Sequence, residues 1–371
     1  MAMFKIFKQL FSLRLRGLIK FYLARLGVFS HINSYLVLIE KTNLPKYLKG
    51  SLKQMAFSDL PGIEDFIKSY LFGDVQLVNK QDQAEVSEPV LVCAVKNDLD
   101  KIKIQMEHHR KIGVKRFIYI DNISTDGTLE WLKEQKDVTL YKVEAQYNSA
   151  TRMGWWQYVI KQEGFGKWYL ILDSDELFAY PNMENISIQR YIAFLEMKKI
   201  TTTTTPMIDM YSQNEIFEAS SDDIRTEFCF FDTFYHKEHQ YVNWLIFGGP
   251  RYRLFSMDNQ LAKHSLLKIK KNMLVDSHEV FPICKNTETG VIAFLLHYKF
   301  LPKDVCKYRE IVETGNFFNG SEQYRIYMEF HKKNPDISFF YSGSQKLNSS
   351  MDLLRINIAD RKFFKEYLNW A

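Results

Sequence analysis

A chain of 371 residues with 46% hydrophobic and 15% aromatic residues, among them 29 Phe and 21 Tyr, carries too much apolar surface to be a solvated, disordered polymer. Its length suits one large domain with additions or two ordinary ones. The net charge of +5, from 49 basic against 44 acidic residues, is too small to mark a nucleic-acid binder.

Residues 3–27 interleave apolar positions with Lys5, Lys8, Arg14, Arg16, Lys20 and Arg25, so no apolar run approaches the ~20 residues that span a bilayer. A secretory signal needs a cleaner apolar centre and a small-residue cleavage site, and neither is present. Two readings stay open here: an amphipathic helix packed on its own domain, or a basic helix resting on an anionic membrane surface. The four cysteines, Cys93, Cys229, Cys284 and Cys306, lack the close spacing of a zinc or redox pair. The expected location is therefore the cytoplasm, with peripheral attachment to the inner face of the cytoplasmic membrane under the second reading.

Residues 1–87 read as a helical N-terminal region, closed by the charged, Pro-containing stretch 81–89. The pattern then changes. Residues 90–95 are a continuous apolar run of strand length, 99–112 a helix, 116–120 a second strand, 128–135 a helix after Asp126-Gly127, and 138–143 a third strand. A helix over 150–162 leads to a strand over 167–172 that ends in Asp173-Ser174-Asp175-Glu176. Near-continuous apolar strands alternating with helices predict an α/β domain, residues 88–300, with a mostly parallel sheet covered on both faces. Thr201 to Thr205, β-branched and followed by Pro206, suits an extended strand. Gly248-Gly249-Pro250 marks a turn, residues 289–300 contain another strand, and 301–371 read as a mainly helical C-terminal region.

In a parallel sheet, ligands bind beyond the carboxyl ends of the strands. Lys96 and Asp98 follow the first strand, and Asp121 to Asp126 follow the second. Asp173 and Asp175 end the fourth, and burying two carboxylates together is costly unless a cation compensates. Their oxygen ligands suit magnesium or manganese. Acidic residues at a strand end also cap the next helix, and Asp126-Gly127 fits a turn and cap in the same way. A lone Arg152 on a helix is by default a solvated charge, and His297 in an apolar stretch is by default a core histidine.

The segment Val95-Lys96-Asn97-Asp98, the loop Asp121 to Thr128, Arg152 and the strand ending in Leu172-Asp173-Ser174-Asp175-Glu176 share their order and spacing with family-2-like glycosyltransferases. The chain resembles the bacterial subgroup whose acidic motif reads Asp-x-Asp-Glu. The resemblance covers residues 90–181, and extends more faintly through Phe247-Gly248-Gly249-Pro250-Arg251 and Leu296-His297-Tyr298-Lys299-Phe300. It implies a GT-A fold (Rossmann-like), an inverting transfer, a nucleotide-diphosphate sugar donor and a manganese or magnesium ion. By the same resemblance Asp121 contacts the base or ribose, and Arg152 approaches the nucleotide or its phosphates. Asp173 faces the ribose and metal, Asp175 is the principal metal ligand, and His297, with His278 as a weaker alternative, completes the metal shell or binds diphosphate. Lys96 and Asp98 are secondary substrate contacts, and Arg251 and Lys263 either pair with phosphate or are solvated. An inverting transfer needs a base for the acceptor hydroxyl; Asp209 stands where an acceptor-side carboxylate is expected, with Glu215 and Glu279 as rivals. A buried Asp209 satisfied by its neighbours is the competing reading.

The implied acceptor is a cell-surface glycan or a lipid-linked one, which gives the basic N-terminal helix a purpose at the membrane. A nucleotidyltransferase also uses paired carboxylates and a divalent ion, but residues 95–100 contain no glycine for a phosphate-cradling loop. A catalytically degenerate GT-A protein that binds nucleotide or glycan is the third reading, and the intact pair Asp173 and Asp175 speaks against it.

Overall fold

A computed structural model of the chain describes residues 30–57, 62–73, 75–81, 89–220, 224–240, 243–276, 278–282, 290–315 and 317–371. The basic segment 3–27 and Cys284 lie outside the described residues. Three helices, α1 Ser30–Lys41, α2 Lys46–Phe57 and α3 Ile63–Phe72, precede a short strand, β1 Gln76–Asn79. The alternating region follows as β2 Val90–Val95, α4 Leu99–Lys111, β3 Arg116–Asp121, α5 Thr128–Lys133, β4 Val138–Lys142, α6 Ser149–Glu163 and β5 Trp168–Ile171. Its element boundaries agree with the sequence expectation to within about two residues.

The remainder is made of shorter pieces. In order these are β6 Glu176–Ala179, α7 Ile188–Met197, β7 Thr205–Asp209, β8 Phe230–Phe231, β9 Tyr235–Gln240, β10 Asn243–Gly248 and α8 Gly249–Phe255. Then come β11 Ala262–Lys263, β12 Leu266–Lys268, β13 Leu274–Val275, β14 Val280–Phe281 and β15 Phe294–His297. The chain ends with α9 Asp304–Thr314, α10 Glu322–Lys333, β16 Gln345–Lys346 and α11 Arg361–Trp370.

The larger sheet has the order β1-β4-β3-β2-β5-β12, with β4, β3, β2 and β5 parallel and the two edge strands antiparallel. A second sheet has the order β11-β7-β15-β6, in which β15 runs parallel to β7 and antiparallel to β6.

Period-two alternation decides which residues face which layer. Val90, Val92, Ile118, Ile120, Tyr169 and Ile171 pack with Leu48, Leu52, Ile63 and Phe66 of the N-terminal helices and with Trp155, Trp156 and Ile160 of α6. Leu91, Cys93, Phe117, Tyr119 and Leu170 face the other way, against Ile102 and Met106 of α4, the second sheet, and Phe363, Phe364 and Tyr367 of α11. Both faces are thus covered, which is why these strands read as continuous apolar runs. Helices before residue 88 and after residue 300 contribute to these two cores alongside the α/β region. Close approach of α3 to α6 depends on Gly154: a Cβ there would stand 2.6 Å from Ser69 Oγ and 3.0 Å from the Phe66 carbonyl oxygen.

Two histidines tie α4 to β6. His108 Nε2 lies 2.8 Å from the Phe178 carbonyl oxygen, and His109 Nε2 accepts the Phe178 N–H at 3.2 Å. Burial lowers the pKa of His108 from 6.5 to about 4 and pushes that of His109 well down. The unfolded chain takes up these protons near pH 6.5 and the folded chain resists them down to about pH 4, so stability is lost as pH falls through that window. For His108 alone the loss at pH 5 is about 2 kcal/mol. Urea denaturation at pH 7 and pH 5 should show that loss in the native protein and a smaller one in His108→Gln, whose amide can still donate to Phe178.

Candidate functional site

The parallel strands and the second sheet bring their polar ends together. β2 leads to Lys96 and Asp98, β3 ends on Asp121, and β5 is followed by the acidic turn Asp173 to Glu176. In the second sheet the register places His297 opposite Asp209 on one side and opposite Glu176 on the other. Three ionisable groups therefore share one rung.

The acidic turn splits into two halves. Asp173 Oδ1 accepts from Arg152 Nη1 at 2.6 Å, and Oδ2 accepts from Lys263 Nζ at 2.8 Å. Lys263 also reaches Glu176 Oε1 at 2.5 Å, while Glu176 Oε2 accepts the Asp173 N–H at 3.0 Å. Burial works to raise the Asp173 carboxyl, but Arg152 and Lys263 outweigh it and hold the group well below the usual range. Arg152 lies 4.5 Å from the Trp156 ring centroid, so its guanidinium is a placed group and not a solvated charge.

The other half belongs to Asp175. Its Oδ2 stands 3.6 Å from His297 Nε2, and His297 Nδ1 lies 2.6 Å from Asp209 Oδ1. Arg251 Nε closes the line by donating to Asp209 Oδ2 at 2.7 Å. Burial disfavours the imidazolium, but Asp175 and Asp209 overbalance it and raise the His297 pKa. Burial likewise opposes ionisation of Asp175, and His297, Lys101 and Lys299 overcome it.

One ligand atom from each of Asp175, Glu176 and His297 lies within 4.8 Å of the other two. Two carboxylate oxygens and an imidazole nitrogen suit manganese or magnesium, and Nδ1 donating to Asp209 leaves Nε2 free to ligate. This group includes His297 and Glu176 and not Asp173, whose oxygens already face two cations. His278 is outside it: Nδ1 contacts the Ala262 carbonyl at 2.9 Å, and burial lowers its pKa to about 4.

Asp209 is 2% exposed, and burial is outweighed by Arg251 and His297, so its pKa falls to about 2. Each of its oxygens meets a cationic or donor side chain, Oδ1 facing His297 and Oδ2 facing Arg251, and the contact to Nδ1 orients the imidazole. Asp209, expected as the base, and Arg251, expected as a phosphate ligand, are thus paired with each other in this structure, with His297 on the other Asp209 oxygen.

Asp121 is fully buried, its Oδ1 accepts the Ser124 N–H at 3.1 Å, and its Oδ2 has no partner among the described residues. An orphaned carboxylate oxygen costs free energy unless a ligand supplies the donor. Burial raises its pKa. Asp126 does the capping in this loop, accepting the N–H groups of Leu99 at 3.0 Å and Thr128 at 3.1 Å. The turn-and-cap reading of the loop is therefore met at Asp126, while Asp121 keeps one oxygen without a partner among the described residues. Asp98 accepts from Ser174 Oγ and from Lys307 Nζ, each at 2.7 Å, and so ties the acidic turn to α9, whereas Lys96 is exposed.

Gln105 is a site residue that the sequence does not announce. It is fully buried on α4, accepts from Tyr119 Oη at 2.9 Å, and its Nε2 donates to the carbonyls of Asp173 at 2.6 Å and Glu176 at 3.1 Å. It thereby pegs both ends of the acidic turn, and no local pattern in the sequence distinguishes it from a solvated helix glutamine. Outer-layer groups of this kind are worth roughly 10- to 100-fold in metal affinity. Gln105→Leu should weaken manganese binding by that factor in a calorimetric titration, while Gln189→Leu, remote from the turn, leaves it unchanged.

No protein-family model and no curated protein matches the chain. Among solved structures, a mannosyltransferase from Pyrobaculum calidifontis in complex with GDP-Man and Mn2+ aligns at 13% identity and a TM-score of 0.26. The alignment covers 47% of this chain and 47% of that one, so the chain spans about half the mannosyltransferase's length. HddC from Yersinia pseudotuberculosis aligns at 10% identity and a TM-score of 0.30, over 59% of this chain and 97% of that one. A nucleotidyl transferase from Methanothermobacter aligns at 11% identity and a TM-score of 0.22, over 66% and 98%. TM-scores below 0.5 do not establish a shared fold, and the chemistry is read from this chain's own residues.

Proposed function

We propose that this chain is a metal-dependent, inverting glycosyltransferase of GT-A type, moving a sugar from a nucleotide-diphosphate donor to a hydroxyl of a cell-envelope glycan or lipid-linked acceptor. One observation carries the reading: the carboxyl ends of the parallel strands carry an orphaned buried Asp121 oxygen after β3 and, after β5, the cation-flanked Asp173 next to the Asp175, Glu176 and His297 donor set. Asp121 would accept from the base or ribose, and Asp173, pre-set by Arg152 and Lys263, would accept a ribose hydroxyl. Asp175 and His297, with Glu176 beside them, would hold the divalent ion. Such an ion supplies Lewis-acid neutralisation of the leaving diphosphate. Asp209 and Arg251 fix the imidazole tautomer from behind.

A nucleotidyltransferase would need a glycine-rich phosphate loop after β2, and Val95 to Asp100 has none. Among the described residues no helix is long and apolar enough to cross a membrane, so contact with a lipid-linked acceptor would be made from the surface.

The test is a panel of nucleotide sugars with manganese or with chelator, following release of nucleoside diphosphate with water as the default acceptor. Metal-dependent hydrolysis of one donor is the expected result. Calorimetry that finds neither manganese nor nucleoside diphosphate binding would overturn the reading.

A further inference from the structure

Around the acidic turn the cations close onto carboxylates: Arg152 and Lys263 onto Asp173, Arg251 onto Asp209, Lys101 onto Asp304 and Lys307 onto Asp98. Lys299 does not. It is 7% exposed, yet among the described residues no carboxylate lies within the 4.0 Å of an ion pair from its Nζ. Its polar contact is Tyr324 Oη at 3.3 Å. Three rings surround it, with centroids at 4.6 Å for Tyr324, 5.7 Å for Tyr308 and 5.9 Å for Tyr327.

A tyrosine cage offsets part of the desolvation cost of an ammonium but supplies no counter-charge, and of the three N–H donors one meets the Tyr324 hydroxyl and none meets a carboxylate among the described residues. The cage is also fixed in place. Tyr308 Oη donates to the Lys299 carbonyl, and the Tyr298 N–H donates to the Asp175 carbonyl at 2.9 Å. The second of these contacts seats Lys299 beside the acidic turn, two residues after His297.

Arg152 and Lys263 serve the Asp173 half of the turn, whereas Lys299 follows the Asp175 and His297 half. We propose that Lys299, with the Tyr324 hydroxyl, is an anion subsite that takes the distal phosphate of a nucleoside diphosphate bound at Asp175 and His297. This rests on the donor class proposed above and adds a fixed protein charge to the one a metal supplies. A charge-assisted contact of this kind is worth roughly 10- to 100-fold in affinity.

The experiment is calorimetry on the full chain with manganese alone, then with manganese plus UDP or GDP, UMP or GMP, and inorganic pyrophosphate. In Lys299→Met, manganese affinity should stay within about twofold of native, diphosphate and pyrophosphate binding should weaken by roughly 10- to 100-fold, and monophosphate binding should hold. Lys299→Arg should restore most of the loss, and Tyr324→Phe should show a smaller loss of the same pattern; both keep the cage filled should the methionine variant fold poorly. Equal effects on mono- and diphosphates, or none, overturn the subsite. Lys299-dependent pyrophosphate binding without nucleotide binding keeps the anion subsite and removes the nucleotide reading. Manganese binding with neither nucleotide nor pyrophosphate removes both.

Discussion

Asp175→Asn should lower metal-dependent donor hydrolysis by roughly three orders of magnitude, the kinetic equivalent of about 4 kcal/mol of leaving-group stabilisation. The substitution preserves shape and removes one charge from the donor set of Asp175, Glu176 and His297. It leaves the Asp173 half untouched, where Arg152 and Lys263 remain engaged. Manganese affinity should fall with activity while the urea midpoint changes little, because Asp175 retains partial access to solvent at 18% side-chain exposure. Asp173→Asn should behave differently. It frees Arg152 and Lys263 from their shared carboxylate, so nucleotide affinity should fall more than manganese affinity. If Asp175→Asn and native protein hydrolyse the donor at the same metal-dependent rate, the assignment of the metal to this half of the turn is wrong.

Arg251→Leu should destabilise the fold by about 3–5 kcal/mol, the cost of breaking a buried pair from one side. The side chains of Arg251 and Asp209 are 3% and 2% exposed, and without the guanidinium one Asp209 oxygen faces the interior unpaired. Replacing both, as Arg251→Leu with Asp209→Leu, should recover most of that stability, since a buried ion pair exchanged for apolar groups is often neutral. The double variant should nevertheless bind manganese roughly 10- to 100-fold more weakly than native, because His297 loses the carboxylate that orients its ring. Urea denaturation and a manganese titration separate the two effects. A double variant with native metal affinity would mean that Asp209 has no part in positioning His297.

The parallel half of the fold is legible in the sequence because a strand buried on both faces must be apolar throughout, as residues 90–95 and 116–120 are. β1 is not, since Gln76 to Asn79 is exposed along its whole length and joins the sheet only by edge pairing to β4. The second sheet is equally hidden. Its strands are two to five residues long and spread from Glu176 to His297, so neither their length nor their period stands out. Gly248-Gly249-Pro250 reads as a turn, but Gly248 at φ 137° precedes a helix with Pro in its first turn. A Cβ at Gly248 would meet the Phe234 carbonyl oxygen at 2.9 Å, which accounts for the glycine. In the C-terminal region α9, α10 and α11 are helical, while residues 334–360 are irregular apart from a two-residue strand and a 3-10 helix over Ser350–Arg355.

The candidate site is legible where its chemistry is local. Two aspartates at a strand end announce themselves; the contact between His297 and Asp209 joins residues 88 positions apart and depends on a register that no local pattern encodes. The same applies to Gln105, whose partners lie 68 and 71 residues away. Asp209 is singled out by its position along the chain, but its pairing with Arg251, 42 residues away, is not visible in any local pattern.

The place of β15 in the second sheet bears on how the molecule is made. It sits between β7 and β6, and β6, which continues directly from the acidic turn, has no other strand partner in that sheet. During synthesis the ribosome therefore releases the whole acidic motif long before the strand that secures it. A nascent chain that stops short of β15 carries Asp175 without His297 and cannot assemble the donor set. Closure over so long a stretch is slow relative to local helix formation. The approach of His297 to Asp175 is accordingly a late event in the making of the chain, and any ligand that needs both residues would bind only after β15 has joined the sheet.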